Sequence, residues 1–455
     1  MNRLAAATLV SATLAACALP FACSSGDPAK PDPAPLADGG PPPSTSYDAN
    51  VPFFCDLPGS IRFDGKTKTT VPGASGLPDL SWVTPPKGFC VHYFGTVGNA
   101  RSLRFAPGGE LFVTSPTRGT TGGGSNGKNA ILVLPDDDRD GLADTQKPFL
   151  SNLPATQGMA FDTRRGLFFY QDDQKLLAVP YKTGDRTPSA TPAELTTISI
   201  YYSAIHWPRG IDIADDGTVY VTNGSDQGES CDQGHPFRGG VLALEETDGG
   251  VTPGGRPICK GFRNPIYLRC GRGHDKCFVT ELTRDYSWKE GGREKLVPIR
   301  EGDDWGYPCC ATKDVPFPDV FPKPDCSGVA AEDVAFYVAD TPMGFDFEPG
   351  RWPDPWKNRV VIAQHGQFGT WIGAKVVAVE MDTATGLPRN GGTLLPDGGQ
   401  GNTGALIDFA TGWDDGKLDH GRPADVTFAQ DGRMFLADDN QGLVMWFAPV
   451  DLPKP

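Results

Sequence analysis

Histidine is scarce in this chain, with six among 455 residues. One of them, His206, stands in Ile205-His206-Trp207-Pro208-Arg209-Gly210, just before a short apolar run that reads as a strand. A neutral imidazole near pH 7 takes a proton from a hydroxyl, and Asp226, at the end of the following strand, is placed to orient it. His365, in Gln364-His365-Gly366-Gln367, offers the same chemistry as a second candidate. The competing reading is that an isolated histidine simply packs into a core. Arginines recur in equivalent places: Arg101, Arg209, Arg263 and Arg422 precede comparable apolar runs. Guanidinium groups take carboxylates or phosphates in a bidentate fork, so their convergence suits an anionic ligand. The same arginines also suit a structural role, plugging a channel by pairing with Asp226, Glu281 and Asp285, and the sequence leaves both open.

What would bring these residues together is a repeat. A polar or cationic residue, a short apolar strand, a tight turn rich in Gly, Asp or Pro, and a second apolar strand recur from Arg101, Gln157, Arg209, Arg263, Thr341 and Arg422. The starts lie about 50 residues apart early and about 80 apart later, the period of propeller blades. An antiparallel pair returns the chain to the edge it left, so residues before the first strand and after the second share one face. In a six-bladed ring these ends converge on one mouth. The expected mouth residues are Arg101, Gln157, His206, Arg209, Arg263, Asn264 and Arg422, joined by Asp172, Asp226, Glu281, Asp285, His365 and Asp438.

The composition agrees with an all-β chain. Gly (57) and Pro (43) are abundant, no stretch carries sustained helical periodicity, and helix is expected to be scarce. The formal net charge of −15 argues against a nucleic-acid partner. Residues 1–16 read as a signal peptide, with Leu14-Ala15-Ala16-Cys17 resembling a lipobox and Pro20-Phe21-Ala22-Cys23 a poorer copy. The expectation is an exported periplasmic or outer-membrane lipoprotein, touching the membrane only through a lipid anchor. Residues 17–52 then form a Pro-rich disordered tether, and 53–455 the propeller. Eleven Cys in an exported chain imply disulfides. Lipidation of Cys17 would leave an even number and lipidation of Cys23 an odd one with a cysteine unpaired; the pairing is left open, with Cys55 and Cys90, and Cys270 and Cys277, as plausible local staples. Cys309-Cys310 reads as structural rather than redox-active. Asp136-Asp137-Asp138-Arg139-Asp140-Gly141-Leu142-Ala143-Asp144 resembles a calcium loop, although Lys147 stands where the EF-hand pattern needs Glu, and a solvated hairpin tip explains it equally.

Five motifs follow one another in order: Gly261-Phe262-Arg263-Asn264-Pro265, Asp304-Trp305-Gly306-Tyr307-Pro308, Ala363-Gln364-His365-Gly366 with Lys375-Val376-Val377, Gly421-Arg422-Pro423-Ala424-Asp425, and Asp438-Asp439-Asn440-Gln441-Gly442. Together they resemble the soluble pyrroloquinoline-quinone-dependent glucose and sorbosone dehydrogenases, six-bladed propellers, with the sorbosone dehydrogenase-like branch nearest. The resemblance implies oxidation of a sugar (an aldose or sorbosone-like substrate) or related alcohol by hydride transfer to pyrroloquinoline quinone, with Ca2+ as second cofactor. The electron acceptor, a quinone or cytochrome, is left open. It implies His206 as general base held by Asp226, Arg263 at the reacting quinone oxygen beside Asn264, and Lys375 and Arg422 on cofactor carboxylates. The calcium segment would be Thr280–Asp285, with Thr283 and Arg284 in place of the family's Gly-Pro pair and Glu281 and Asp285 able to coordinate directly. Ala424 replaces a second clamp arginine. Two other readings stand beside this one: a calcium-dependent propeller hydrolase or lactonase, and a catalytically lapsed propeller that binds carbohydrate or a protein partner.

Overall fold

The computed structural model of the protein describes residues 44–45, 51–118, 126–173, 175–197, 206, 208–225, 231, 238–247, 250–251, 255–271, 276–285, 287–389, 405–417 and 420–454. The leader, most of the tether, Asp226 and both candidate lipidation cysteines lie outside the described residues. Six antiparallel sheets are arranged as blades. Their first strands are Ser102–Phe105, Thr156–Asp162, Ile211–Ile213, Asn264–Cys270, Pro342–Phe347 and Pro423–Phe428. Each starts within two residues of the six positions at which the sequence phrase recurs. Neighbouring first strands touch in succession, and the last touches the first, so the ring is closed. Among the described residues the only helical elements are two single 3-10 turns, Phe54–Asp56 and Ser287–Glu290.

The blades stand face to face, so their strands are covered on both sides and read as unbroken apolar runs instead of alternating ones. Ala130–Leu134 and Arg359–Gln364 are buried at every position. One apolar core fills each of the six seams between blades. Phe112, Phe149 and Phe168 fill the seam of the first and second blades, and Phe94, Phe435 and Trp446 belong to that of the sixth and first. The sixth blade closes the ring with a strand from before the repeats. Phe89–Thr96 pairs with Leu443–Pro449 and becomes its fourth strand, followed outward by Ile61–Phe63 and Lys68–Thr70. The repeat pattern did not reveal this closure, because Phe89–Thr96 has no partner nearby in sequence.

Disulfides join Cys55 to Cys90 and Cys270 to Cys277, the two expected staples. Cys309 and Cys310 point apart, to Cys231 and Cys326 respectively, which is a structural use of both. Cys259 is a free, buried thiol in the core between the third and fourth blades.

At the axis the first strands come together around two arginines. Arg104 of the first blade donates to the carbonyls of Met159 (3.1 Å), Ile211 (3.2 Å) and Leu268 (3.1 Å), reaching the second, third and fourth blades. Arg269 of the fourth blade is buried and reaches back across the axis, donating to Leu103 O (3.1 Å), Val426 O (2.8 Å) and both carboxylate oxygens of Asp425 (3.0 and 3.1 Å). Asp425 also accepts from Ser102 Oγ and Leu103 N. Gly344 of the fifth blade passes so close that a Cβ there would collide with the Asp425 carboxylate.

This geometry makes the axis sensitive to single changes. Truncating Arg269 to Ala leaves Asp425 buried without its charge partner, so chemical denaturation should report a loss of about 3–5 kcal/mol. Burial raises the Asp425 pKa from 3.8 to about 6. The folded state therefore keeps a proton between about pH 4 and 6 that the unfolded chain has released, and this carboxyl lowers stability as pH rises through that window. In Asp425→Asn that component of the pH slope should vanish; an unchanged slope would show that Asp425 does not titrate there.

Candidate active site

The end of the ring where the first strands begin carries the expected mouth residues, and the five motifs fold into two contact clusters there. In the first, Gly261-Phe262-Arg263-Asn264-Pro265 lies against Asp304-Trp305-Gly306-Tyr307-Pro308. Trp305 N donates to Lys260 O and Tyr307 N to Gly261 O, both at 2.9 Å. Gly261 has φ +84°, and a Cβ there would collide with the backbone of Trp305 and Gly306, so the close approach requires glycine. In the second cluster, Arg422 donates through Nε to His365 O (2.9 Å) and through Nη2 to Gly366 O (2.7 Å) and lies over the Trp371 ring at 4.8 Å. His365 Nε2 meets Asp439 Oδ1 at 2.9 Å.

Arg101 and Gln157 bridge the clusters. The Arg101 guanidinium pairs with Asp439 and donates to Gln157 Oε1 at 3.3 Å. Gln157 Nε2 donates to Ile266 O at 2.8 Å, and the Tyr267 hydroxyl donates to Arg101 O. Arg101 is thus a structural cation, the plug reading for that residue. Burial, with Arg422 adding to it, pushes the His365 pKa down to about 4, so that imidazole is neutral at pH 7. The Asp439 carboxyl is instead held well below the ordinary range: His365 and Arg101 overcome the opposing effect of burial. Asp438 is buried, accepts from Trp413 Nε1 at 3.1 Å, and is raised to about 7 by burial. Arg209 is completely buried before the third blade's first strand. Asp172 closes the second blade's hairpin and accepts from Ala155 N at 3.1 Å.

His206 is buried at the mouth, and its Nδ1 faces the Ser225 carbonyl at 3.2 Å and the Ser225 hydroxyl at 3.3 Å. Donation from Nδ1–H to that carbonyl makes Nε2 the basic nitrogen. Ser225 N in turn donates to Arg263 O at 2.8 Å, so one residue joins the imidazole of the third blade to the arginine of the fourth. Sequence reasoning missed Ser225. It follows Asn223-Gly224 at a strand end, a position the blade geometry already marks, but the ionisable Asp226 next to it drew the assignment. Asp226 itself lies outside the described residues.

Arg263 organises the segment read as metal-binding. Its Nη1 donates to Thr283 O (3.1 Å), its Nη2 pairs with Asp285 Oδ2 (2.7 Å), and its backbone N–H donates to Glu281 Oε1 (3.1 Å). Glu281 is fully buried, and its other oxygen faces Lys295 Nζ at 3.6 Å. Arg284 is drawn off by Asp319 in a bidentate pair at 2.7 and 2.6 Å. Asn264, 8% exposed, keeps a buried Oδ1 with no hydrogen-bond partner among the described residues. Lys375 sits on the third strand of the fifth blade and pairs with Asp408 at 2.7 Å, away from the axis. Among the described residues, the carboxylates close enough to share an ion are Asp136, Asp138 and Asp140 of the loop after Leu134, at the opposite end of the ring. A cavity of about 500 Å³ opens at that same end, lined by Phe105, Glu110, Asp136, Arg186, Arg433 and Phe435, and contributes nothing to the mouth.

No protein-family model matches the chain, and no curated protein matches it in sequence. Solved structures do match in fold. The iodide structure of a Trichoderma reesei carbohydrate-active enzyme of family AA12 aligns at TM-score 0.67 and 16% identity, covering 82% of this chain and 100% of its own. The holo form of the pyrroloquinoline-quinone domain of pyranose dehydrogenase from Coprinopsis cinerea gives 0.64 and 16%, with 82% and 98% covered. The quinone-bound aldose sugar dehydrogenase of Streptomyces coelicolor gives 0.53 and 15%, with 80% and 99% covered. At these identities the likeness is one of fold, and it spans nearly the whole of each of these solved chains.

Proposed function

We propose that the protein is a quinoprotein dehydrogenase that oxidises a sugar, aldose or sorbosone-like, or a related alcohol, with pyrroloquinoline quinone as cofactor. The observation that carries this reading is the His206–Ser225–Arg263 chain, in which Ser225 orients the imidazole and its N–H holds the backbone carbonyl of Arg263 at the propeller mouth. The quinone-dependent sugar dehydrogenases with this fold support it. A hydrolase would have no use for the cationic clamp, and a lapsed binding protein would have no need of an oriented base.

The residues fit the quinone. It is a tricarboxylate, and this acidic protein has Arg263 and Arg422 at the mouth, guanidinium groups of the kind that take carboxylates. Lys375 joins by exchanging Asp408 for a ligand carboxylate; a half-exposed pair of this kind contributes only about 0–1 kcal/mol, so the exchange is cheap. When bound, the quinone supplies a two-electron acceptor for the hydride leaving the sugar carbon. His206 Nε2 takes the proton of the same carbon's hydroxyl, and Ser225 fixes the ring so that Nε2 is the face presented. Calcium does not fit the segment assigned to it, because Glu281, Thr283 and Asp285 are already engaged by Arg263 and Lys295.

The leader places this enzyme in our reading as an exported lipoprotein, anchored at Cys17 or Cys23 and passing electrons to a quinone or cytochrome acceptor. Four disulfides support an oxidising compartment.

Purified protein supplied with pyrroloquinoline quinone should develop the bound quinone's absorbance and reduce an artificial acceptor when given aldoses. Silence across a sugar panel, with no quinone binding by calorimetry, would refute the proposal. His206→Ala should lower kcat by about 10²–10⁴-fold while quinone affinity stays unchanged, since the base acts on substrate. Arg422→Ala should do the reverse, weakening quinone binding by roughly 10- to 100-fold through loss of a charged hydrogen-bond donor.

A further inference from the structure

The groups around Arg263 leave no place for a divalent cation, and they supply what such a cation would bring. Glu281 and Asp285 are the acids of the segment. Asp285 Oδ2 is 2.7 Å from Arg263 Nη2, and the Glu281 carboxylate lies between Arg263 N at 3.1 Å and Lys295 Nζ at 3.6 Å. The Thr283 carbonyl, the remaining oxygen donor, receives Arg263 Nη1 at 3.1 Å. Two acids face two fixed cations, so the local charge is already balanced. A divalent ion inserted there would meet Arg263 and Lys295 at contact distance. Lys295 is 1% exposed and Glu281 fully buried, where like-charge repulsion is poorly screened. The third cation, Arg284, is removed from the cluster by its bidentate pair with Asp319 and by packing over the Phe317 ring at 5.2 Å. Arg263 is therefore the charge that remains at the wall, and it is fixed there by three contacts.

We propose that Arg263 takes the place of a divalent cation at this mouth, so that the anionic quinone binds to the guanidinium without calcium. The inference rests on the quinoprotein reading and narrows it. Ligand carboxylates or the quinone oxygens compete with Asp285, the exposed member of the pair, while Thr283 O keeps the guanidinium in position. An arginine stays charged at any working pH, so ligand affinity here carries neither a metal requirement nor a proton release on metal loading.

The test is calorimetry with pyrroloquinoline quinone on the full chain, once in excess EGTA and once in millimolar calcium. The expected result is affinity in EGTA within about threefold of that in calcium, a difference of about 0.7 kcal/mol or less. Arg263→Gln should lose roughly 10- to 100-fold in both buffers, and Arg263→Lys less, because it keeps the charge but not the fork. The comparison on the wild-type chain needs no variant to fold, and circular dichroism checks the two that are used. Binding that appears only with calcium, or tightens more than about tenfold with it, overturns this inference and leaves the quinoprotein reading standing. Absence of binding in both buffers overturns the two together.

Discussion

Six strands that start at one mouth must also meet at one axis, and the backbone carbonyls and carboxylates they bring there need partners. Arg104 and Arg269 resolve this. Between them they bond to the backbone or carboxylates of five of the six blades, and Arg269 Nη1 stands 3.7 Å from Asp346 of the remaining one, the fifth. The seams between blades are held by apolar packing, which is non-directional, whereas the bonds at the hub fix direction as well as distance. The mouth inherits its geometry from the hub, because Tyr267 is two residues from Arg269 and holds the Arg101 carbonyl, while Arg101 holds Asp439 and Asp439 holds His365.

Above that hub the electrostatics divide into two parts with different jobs. Arg101, Asp439 and His365 form a closed set in which each charge has a partner and the imidazole is neutral. Such a set fixes positions, and burial, which lowers the His365 pKa to about 4, makes that imidazole a weak base near pH 7. His206 and Arg263 form the other part, joined through Ser225 and bordered by Asn264 with its open amide oxygen. The two histidines that look equivalent in sequence are separated by this: one is locked against a carboxylate, the other is oriented through a backbone carbonyl.

Much of this was legible in the chain because the repeat encodes it. The inner-strand starts follow from the recurrence of an apolar run, a turn and a second run, and the mouth residues follow from the starts by antiparallel geometry alone. What stayed hidden depends on contacts far apart in sequence. Phe89–Thr96 joins the sixth blade only because its edge is open, which no local pattern signals. Ser225 acts through its backbone carbonyl, and a carbonyl has no sequence signature. Arg263 reads as a ligand-facing cation from its position, yet its grip on Thr283 and Asp285 depends on how the hairpin after Leu282 turns. The free Cys259 shows the same limit, since parity counts cysteines without knowing which are buried apart.

The long connection in the fourth blade shows how a distant constraint sets charge at the mouth. After Glu294–Pro298 the chain does not turn directly into Val334–Phe336. It first runs beside Lys260 and Gly261, where Asp303–Tyr307 bond to their backbone. Cys309 is then tied to Cys231 of the third blade and Cys310 to Cys326 within the connection. Adjacent cysteines facing different partners fix the direction of the chain through that point. Beyond it, Val315 packs over Gly291, and Asp319 and Phe317 capture Arg284. Without this excursion Arg284 would lie one residue from Thr283 with no acid of its own, adding a second positive charge to the wall that Arg263 occupies. The paired cysteines thus do more than brace a loop: they hold the acid that keeps Arg284 out of the site and leave a single guanidinium to define it.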